Sequence, residues 1–391
     1  MHKHRFILGT LSLLLFLGCG NLELATINSQ PSNNTISYTS NPRSIENSTL
    51  NISEAKISEA DEPLNIILLI GDGMGLSQVS ASHYYGTGPS NFDRFNTIGL
   101  IKTSASSDLV TDSAASATAY SAGVQTYNGA IGVTKDSIAA KTIVEYAIEK
   151  GLSTGLIATS SLMHATPGSF YAHSKSRQFY EEIATFMPDS GVDFFAGGGQ
   201  LFCAPRTDGR NIYDELKAKN YEVTLDSLPS VISNKKQAII LAPDGMPRML
   251  DGRGDFLARA TKLALKKLAT NKKGFFLMVE GSQIDWGGHS NEAPYLITEL
   301  IDFEKTIGVA LDFAKSNKNT LVIVTADHET GGFTLSAEDG NYNVIEPRFS
   351  TKSHSATMVP VFSKGPGEKN FAGIYQNTSL FKKMMQALKL K

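Results

Sequence analysis

Four short apolar runs end in, or lead into, side chains that bind metals. Ile66-Ile67-Leu68-Leu69-Ile70 reaches Asp72, and Phe275-Phe276-Leu277-Met278-Val279 reaches Glu280. Leu321-Val322-Ile323-Val324 precedes Asp327-His328, and Leu156-Ile157-Ala158 leads into the loop holding His164. Runs this short and this apolar are strands buried on both faces, which is the pattern of a parallel sheet covered by helices. In open α/β sheets, ligands bind beyond the carboxyl ends of the strands. Acids and imidazoles leaving several strands at that edge can meet although they are far apart in sequence. The pattern predicts an α/β metalloenzyme with a predominantly parallel central sheet and helices on both faces.

At 391 residues, one large catalytic domain over residues 63–391 is the simplest organisation. Ahead of it, residues 1–18 carry Lys3 and Arg5 and then an apolar run, residues 6–17, too short to span a bilayer as a helix. This is the pattern of a secretory signal peptide. Phe16-Leu17-Gly18-Cys19 resembles a bacterial lipobox, with Phe16 where Leu is usual. Cys19 would then be a lipid anchor; alternatively it lies beside a conventional cleavage site. Residues 19–62, rich in Ser, Asn and Thr without a sustained period, form a tether. The expected location is therefore outside the cytoplasm, in the periplasm or on the cell surface.

The net charge is −2, and losing Lys3 and Arg5 with the leader makes it more negative. Such a surface does not favour nucleic acid. Only Cys203 remains besides Cys19, so no disulfide framework is available.

Within the domain, residues 142–150 read as a helix and 153–159 as a strand. Residues 259–268 form a helix before the Phe275 strand. A long amphipathic helix over 292–315 presents Leu296, Leu300, Phe303, Ile307 and Leu311, followed by a strand over 319–325.

Gly71-Asp72-Gly73-Met74-Gly75 follows a buried strand, so its backbone can turn sharply toward a ligand. Asp72 could bind a metal there, or the turn could cradle a phosphate. Thr111-Asp112-Ser113 opens a helix of small residues. Either Ser113 is a nucleophile at the helix N-terminus, where amides favour a phosphoryl group, or Asp112 or Ser113 merely caps the helix. Asp285 and His289 in EGSQIDWGGH are four apart, but Gly287 and Gly288 argue against a regular helix, so both are expected on a loop. Trp286 would line a polar cleft. His164, His289, His328 and His354 fall in this set, whereas His83 and His173 lack such a context and read as structural.

These segments together resemble the alkaline phosphatase family. Asp72 in GDGMG, Ser113 in TDSAAS, His164 and Thr166 in HATP, and Arg177 in AHSKSR occur in the family's order. Glu280 and Asp285 in EGSQIDWGGH, Asp327 and His328 in TADHET, and His354 in SHSATMVP complete it. The resemblance implies two Zn2+ ions and one Mg2+ per chain. Asp285, His289 and His354 would hold the first zinc; Asp72, Asp327, His328 and Ser113 would surround the second. Asp72, Thr166 and Glu280 would hold magnesium. Ser113 would be the nucleophile and Arg177 a bidentate phosphate ligand, in hydrolysis of small phosphate monoesters by a homodimer.

Two positions depart from the best-known bacterial pattern, which has Asp and Lys where this sequence has His164 and Trp286. His164 would either ligate a third metal directly, favouring Zn2+ or Co2+, or act through water. Both residues would face the substrate, and the missing Lys charge implies faster phosphate release with weaker product inhibition. The short connection from Gly332 to His354 implies an open cleft and a broad substrate range. Competing readings are a related phosphodiesterase or sulfatase, and a non-catalytic metal-binding lipoprotein.

Overall fold

The computed structural model describes residues 65–390. The leader, the tether and Cys19 lie outside the described residues. The strands are β1 (Asn65–Gly71), β2 (Thr97–Lys102), β3 (Ser153–Ser161), β4 (Phe194–Gly198), β5 (Tyr221–Thr224), β6 (Lys236–Ile240) and β7 (Phe275–Gly281). They continue with β8 (Thr320–Thr325), β9 (Glu329–Thr330), β10 (Thr334–Glu338), β11 (Asn341–Arg348), β12 (His354–Ser355), β13 (Val359–Lys364) and β14 (Gly373–Gln376). Ten of them form one sheet in the order β14-β2-β13-β8-β1-β7-β3-β4-β6-β5. Every pairing in it is parallel except those of β13, which runs antiparallel to β2 and β8. The expected predominantly parallel sheet is present, and its central strands β1, β7 and β8 are buried along their whole lengths.

Register turns this sheet into a site. Ile70 pairs with Glu280 on one side and Thr325 on the other, and Ala158 of β3 pairs with Glu280. Asp72, Glu280 and Asp327 therefore leave three neighbouring strands within about two residues of one level, at the carboxyl edge. A slip of one residue in any strand would exchange the sheet face each of its side chains occupies and take its acid off that level. With Leu68, Leu277 and Ile323 all fully buried, at roughly 1.5–3 kcal/mol for each buried aliphatic side chain, that slip is strongly disfavoured.

Helices cover the sheet: α1 (Leu76–Tyr85), α2 (Ser113–Ala122), α3 (Ile143–Glu149), α4 (Ala165–Gly168) and α5 (Tyr180–Ala184) precede α6 (Ile212–Ala218), α7 (Phe256–Leu268), α8 (Gln283–Ser290), α9 (Ala293–Ser316) and α10 (Thr378–Ala387). The helices anticipated near 142–150, 259–268 and 292–315 are α3, α7 and α9. Thr142 and Glu145 form a reciprocal capping box on α3. Leu296, Leu300, Phe303, Ile307 and Leu311 of α9 are all buried. Asp112 caps α2, accepting from Ala115 N at 2.9 Å, and all ten residues of that helix are buried. Its small side chains admit close packing, which two hydrogen bonds then fix. Tyr120 Oη donates to Ala326 O at 2.7 Å and Ser116 Oγ to Asp327 O at 2.8 Å. The helix that Ser113 opens is thus fastened to the segment that carries Asp327 and His328.

The expected loop around Asp285 and His289 is instead helix α8. Glycines lower helix propensity, but tertiary packing overrides it here. A Cβ on Gly287 would lie 2.5 Å from Leu296 N, and one on Gly288 would lie 2.9 Å from Thr330 Cγ2. Only glycine lets α8 approach α9 and β9 this closely, and the helical turn then puts Asp285 and His289 on one face. Gly287→Ala should consequently destabilise the fold by about 1–3 kcal/mol, despite a propensity gain of about 1 kcal/mol. Urea denaturation would measure this, and an unchanged or raised midpoint would refute the packing explanation.

Candidate active site

The candidate residues from β1, α2, the β3–α4 turn, β7, α8, the β8–β9 segment and β12 converge at the carboxyl edge of the sheet. Asp285 Oδ1, His289 Nε2 and His354 Nε2 form a triangle with edges of 3.4, 3.5 and 3.1 Å. Zinc bonds of about 2.0–2.1 Å in a tetrahedron place neighbouring donors roughly 3.3–3.4 Å apart, so the triangle has the dimensions of one tetrahedral face. The imidazoles also point the correct atoms inward. His289 Nδ1 lies 2.7 Å from Lys352 O, and His354 Nδ1 lies 2.9 Å from Thr111 O. A carbonyl only accepts, so each Nδ1 carries the proton and each Nε2 offers a lone pair. Two such lone pairs face each other, an arrangement a cation relieves.

A second group surrounds His328 Nε2. Asp327 Oδ2 lies 3.1 Å from it, Ser113 Oγ 3.2 Å and Asp72 Oδ1 3.6 Å. On the other side of the ring, Thr330 Oγ1 donates to Asp285 Oδ1 and so can only accept from His328 Nδ1, 3.2 Å away. Thr330 therefore couples the two groups and orients the His328 ring. In the third group, ligand atoms of Asp72, His164 and Glu280 lie within 4.8 Å of one another. Thr166, at the start of α4, is fully buried nearby in sequence to His164.

Electrostatics explains why this pocket suits cations. Asp72, Glu280 and Asp327 are fully buried and Asp285 nearly so. Burial raises the Asp72 carboxyl well above its ordinary range, and Asp327, Asp285 and Glu280 raise it further. Burial and the Asp327 charge push Glu280 up to about 7. Burial alone would raise Asp327 too, but the adjoining His328 and the Gly73 N–H hold it below the usual carboxylate range. Burial, then Arg177, pushes His164 down to about 3, and burial with neighbouring His328 pushes His354 down to about 4, so both remain neutral imidazoles. Asp72 Oδ1 and Oδ2, Asp327 Oδ2, Glu280 Oε1, Thr166 Oγ1 and His164 Nδ1 are buried without a hydrogen-bond partner. Each would cost about 1–3 kcal/mol if left so, and the four carboxylate oxygens among them mark a binding site for positive charge.

Ser113 and Arg177 complete the site. Ser113 is buried in the first turn of α2, where free amides and the helix dipole favour an anion. Asp112 Oδ2 accepts from both Gly129 N at 2.9 Å and Arg177 Nη1 at 3.1 Å. Its Oδ1 caps α2, so one carboxylate sets the guanidinium relative to the serine. Arg177 Nη2 donates to His164 Nε2 at 3.4 Å. Trp286 is half-buried, packing edge-on to His164 with ring centroids 5.9 Å apart. His83 faces Asp93 at 3.7 Å, and His173 bonds Gly132 O and Glu145, away from these groups.

In the sequence Asp112 shows only as a helix cap, and Thr330 does not stand out. The hydroxyl after an Asp-His-Glu run was the available signal for Thr330, but its partner, Asp285, is distant in sequence.

The sign of the Glu280 shift gives a pH prediction. A carboxyl raised from 4.5 to about 7 stabilises the metal-stripped fold fully below pH 4.5, and that stability is lost as pH rises through about 7. Glu280→Gln imitates the protonated form. After chelator treatment it should match the wild type near pH 4.5 and exceed it at pH 8, by on the order of a few kcal/mol. Thermal melts that show the same difference at both pH values would contradict the repulsion described above.

Comparison with known proteins agrees with this geometry. The alkaline phosphatase family profile matches residues 64–349. Alkaline phosphatase 3 of Bacillus subtilis (strain 168) is 44% identical over 328 residues, covering 79% of this chain and 69% of the relative. The alkaline phosphatase of Escherichia coli (strain K12) is 33% identical over 414 residues, covering 85% and 88%. The structure of alkaline phosphatase from the Antarctic bacterium TAB5 superposes with a TM-score of 0.83 at 51% identity, covering 84% of this chain and 99% of that one. Variants of the TAB5 enzyme with a histidine replaced by Asp or Glu are described with Mg bound in the M3 site. On the profile match and these identities, the chain belongs to the alkaline phosphatase family, whose activity is metal-dependent hydrolysis of phosphate monoesters.

Proposed function

We propose that hydrolysis proceeds through a phosphoserine on Ser113, with two zinc ions and a third cation held by the three donor groups described above. The observation that carries this reading is the position of Ser113 Oγ, 3.2 Å from His328 Nε2, the same nitrogen that carboxylate oxygens of Asp327 and Asp72 approach to 3.1 and 3.6 Å. Asp285, His289 and His354 would hold the first zinc, and Asp72, Asp327 and His328 the second. Asp72, Glu280 and Thr166 would hold the third cation, with His164 alongside. When bound, these cations supply Lewis acidity to the phosphoryl oxygens and lower the pKa of the serine hydroxyl and of water.

Arg177, steered by Asp112, takes phosphoryl oxygens through its remaining N–H groups. The α2 N-terminus adds backbone amides to the same anion. Ser113 Oγ attacks phosphorus in line as the ester P–O bond breaks, releasing the alcohol and leaving the phosphoryl group on the serine. Water then attacks phosphorus from the vacated side, the Oγ–P bond breaks, and inorganic phosphate leaves with Ser113 restored. Positioning and charge stabilisation dominate, since phosphoryl transfer asks for little covalent chemistry from the protein.

His164 tilts the third site away from a magnesium-like oxygen shell, because imidazole suits zinc or cobalt better. The carboxylate variants of the TAB5 enzyme with Mg in the M3 site fit that reasoning. Residues 1–62 support export, with Cys19 as a candidate lipid anchor, and a homodimer is the assembly we favour.

Ser113→Ala should reduce monoester hydrolysis by about 10³-fold or more. The acid-quenched wild type should carry phosphate on Ser113, detected by mass spectrometry, and the active enzyme should prefer monoesters over diesters. Wild-type rates in Ser113→Ala would refute the phosphoserine route, and faster diester cleavage would favour the phosphodiesterase reading.

A further inference from the structure

Glu329, the last acid of the TADHET segment, belongs to none of the three donor groups. It is buried, and its carboxylate contacts an amide, a backbone N–H and a hydroxyl. Oε1 accepts from Gln78 Nε2 at 2.9 Å and from Phe333 N at 3.0 Å, while Oε2 accepts from Ser355 Oγ. Two of the three partners, Gln78 and Ser355, adjoin segments of the site. Gln78 is buried on α1, just beyond the Asp72 turn, and its Nε2 also donates to Thr330 O at 3.0 Å. Glu329 follows His328, and Ser355 follows His354.

The strand that carries His354 is held elsewhere by Gly331 N donating to Ser353 O at 3.0 Å, by the His289 and His354 Nδ1 contacts to Lys352 O and Thr111 O, and by stacking of His354 on His328. Strands β9 and β12 make two pairs only, His354 with Thr330 and Ser355 with Glu329, and a ladder that short has little stability of its own. Three donors converge on this one side chain, which offers them two acceptor oxygens. The turn around Asp72 closes on it as well, since a Cβ on Gly75 would lie 2.5 Å from Glu329 Cγ.

We propose that Glu329 is a positioning residue that clamps the His354 strand to the Asp72 and His328 segments, thereby closing the Asp285–His289–His354 group. The inference rests on the reading above that this group holds zinc. Glu329→Gln can keep the connections: its oxygen accepts from Gln78 and Phe333, and its NH2 donates to Ser355 Oγ, which is free to donate to Thr357 Oγ1 at 3.0 Å. Glu329→Ala loses all three. Ser355→Ala removes one hydroxyl at a half-buried position and tests the same clamp if Glu329→Ala does not fold.

The experiment follows zinc release from the zinc-loaded full-length protein to a chromogenic chelator, alongside kcat and KM on a monoester. Disturbing residues that orient metal ligands typically costs about 10–100-fold in affinity. Glu329→Ala should speed release of one zinc by about that factor and leave the other within about threefold. Ser355→Ala should have a smaller effect on the same zinc, and Glu329→Gln should restore release to within about threefold of wild type. Equal loosening of both zincs, wild-type release from Glu329→Ala or Ser355→Ala, or a Glu329→Gln variant as leaky as alanine would overturn the clamp. A wild-type protein that retains no zinc would instead overturn the metal reading on which the clamp rests.

Discussion

Mutual repulsion among buried carboxylates is the constraint on which the arrangement depends. Asp72, Glu280 and Asp327, with Asp285 beside them, are brought together where burial penalises charge. Protein groups compensate in part, through the Gly73 and His328 N–H groups on Asp327 Oδ1 at 3.0 and 2.9 Å and Ser160 Oγ on Glu280 at 3.3 Å. What they leave unsatisfied, bound cations would satisfy. Cations held there would offset the repulsion, and their positive charge, together with Arg177, would draw a phosphoryl group.

Placement of the acids is a consequence of the core. Three adjacent parallel strands in fixed register deliver Asp72, Glu280 and Asp327 to one level. Side chains from α2 then tie the Ser113 helix to the carbonyls of Ala326 and Asp327. A hydroxyl, a carboxylate and an amide do the fine positioning: Thr330 orients His328, Asp112 orients Arg177, and Gln283 Nε2 ties α8 to Thr159 O at 2.9 Å and to Met246 O at 2.6 Å. Removing any of these partners leaves a buried polar group unpaired, which is more costly than the bond was worth.

Much of this was legible in the sequence where the signal is local. Unbroken apolar runs gave the central strands, and Leu296 to Leu311 at helical spacing gave α9. Helix α8 was misread because the glycines at 287 and 288 serve contacts with Leu296 and Thr330, which no local pattern reveals. The coupling of Thr330 to Asp285, of Asp112 to Arg177 and of Glu329 to Gln78 was hidden for the same reason. Each joins residues from different elements, so it exists only once the sheet has set the distances.

The most direct measurement is anomalous X-ray diffraction above the zinc absorption edge on crystals of the purified protein. The account predicts one peak coordinated by Asp285, His289 and His354, and a second coordinated by Asp72, Asp327 and His328 next to Ser113 Oγ. Zinc-replete crystals without anomalous density at those two positions, or with zinc bound elsewhere in the molecule, would contradict it.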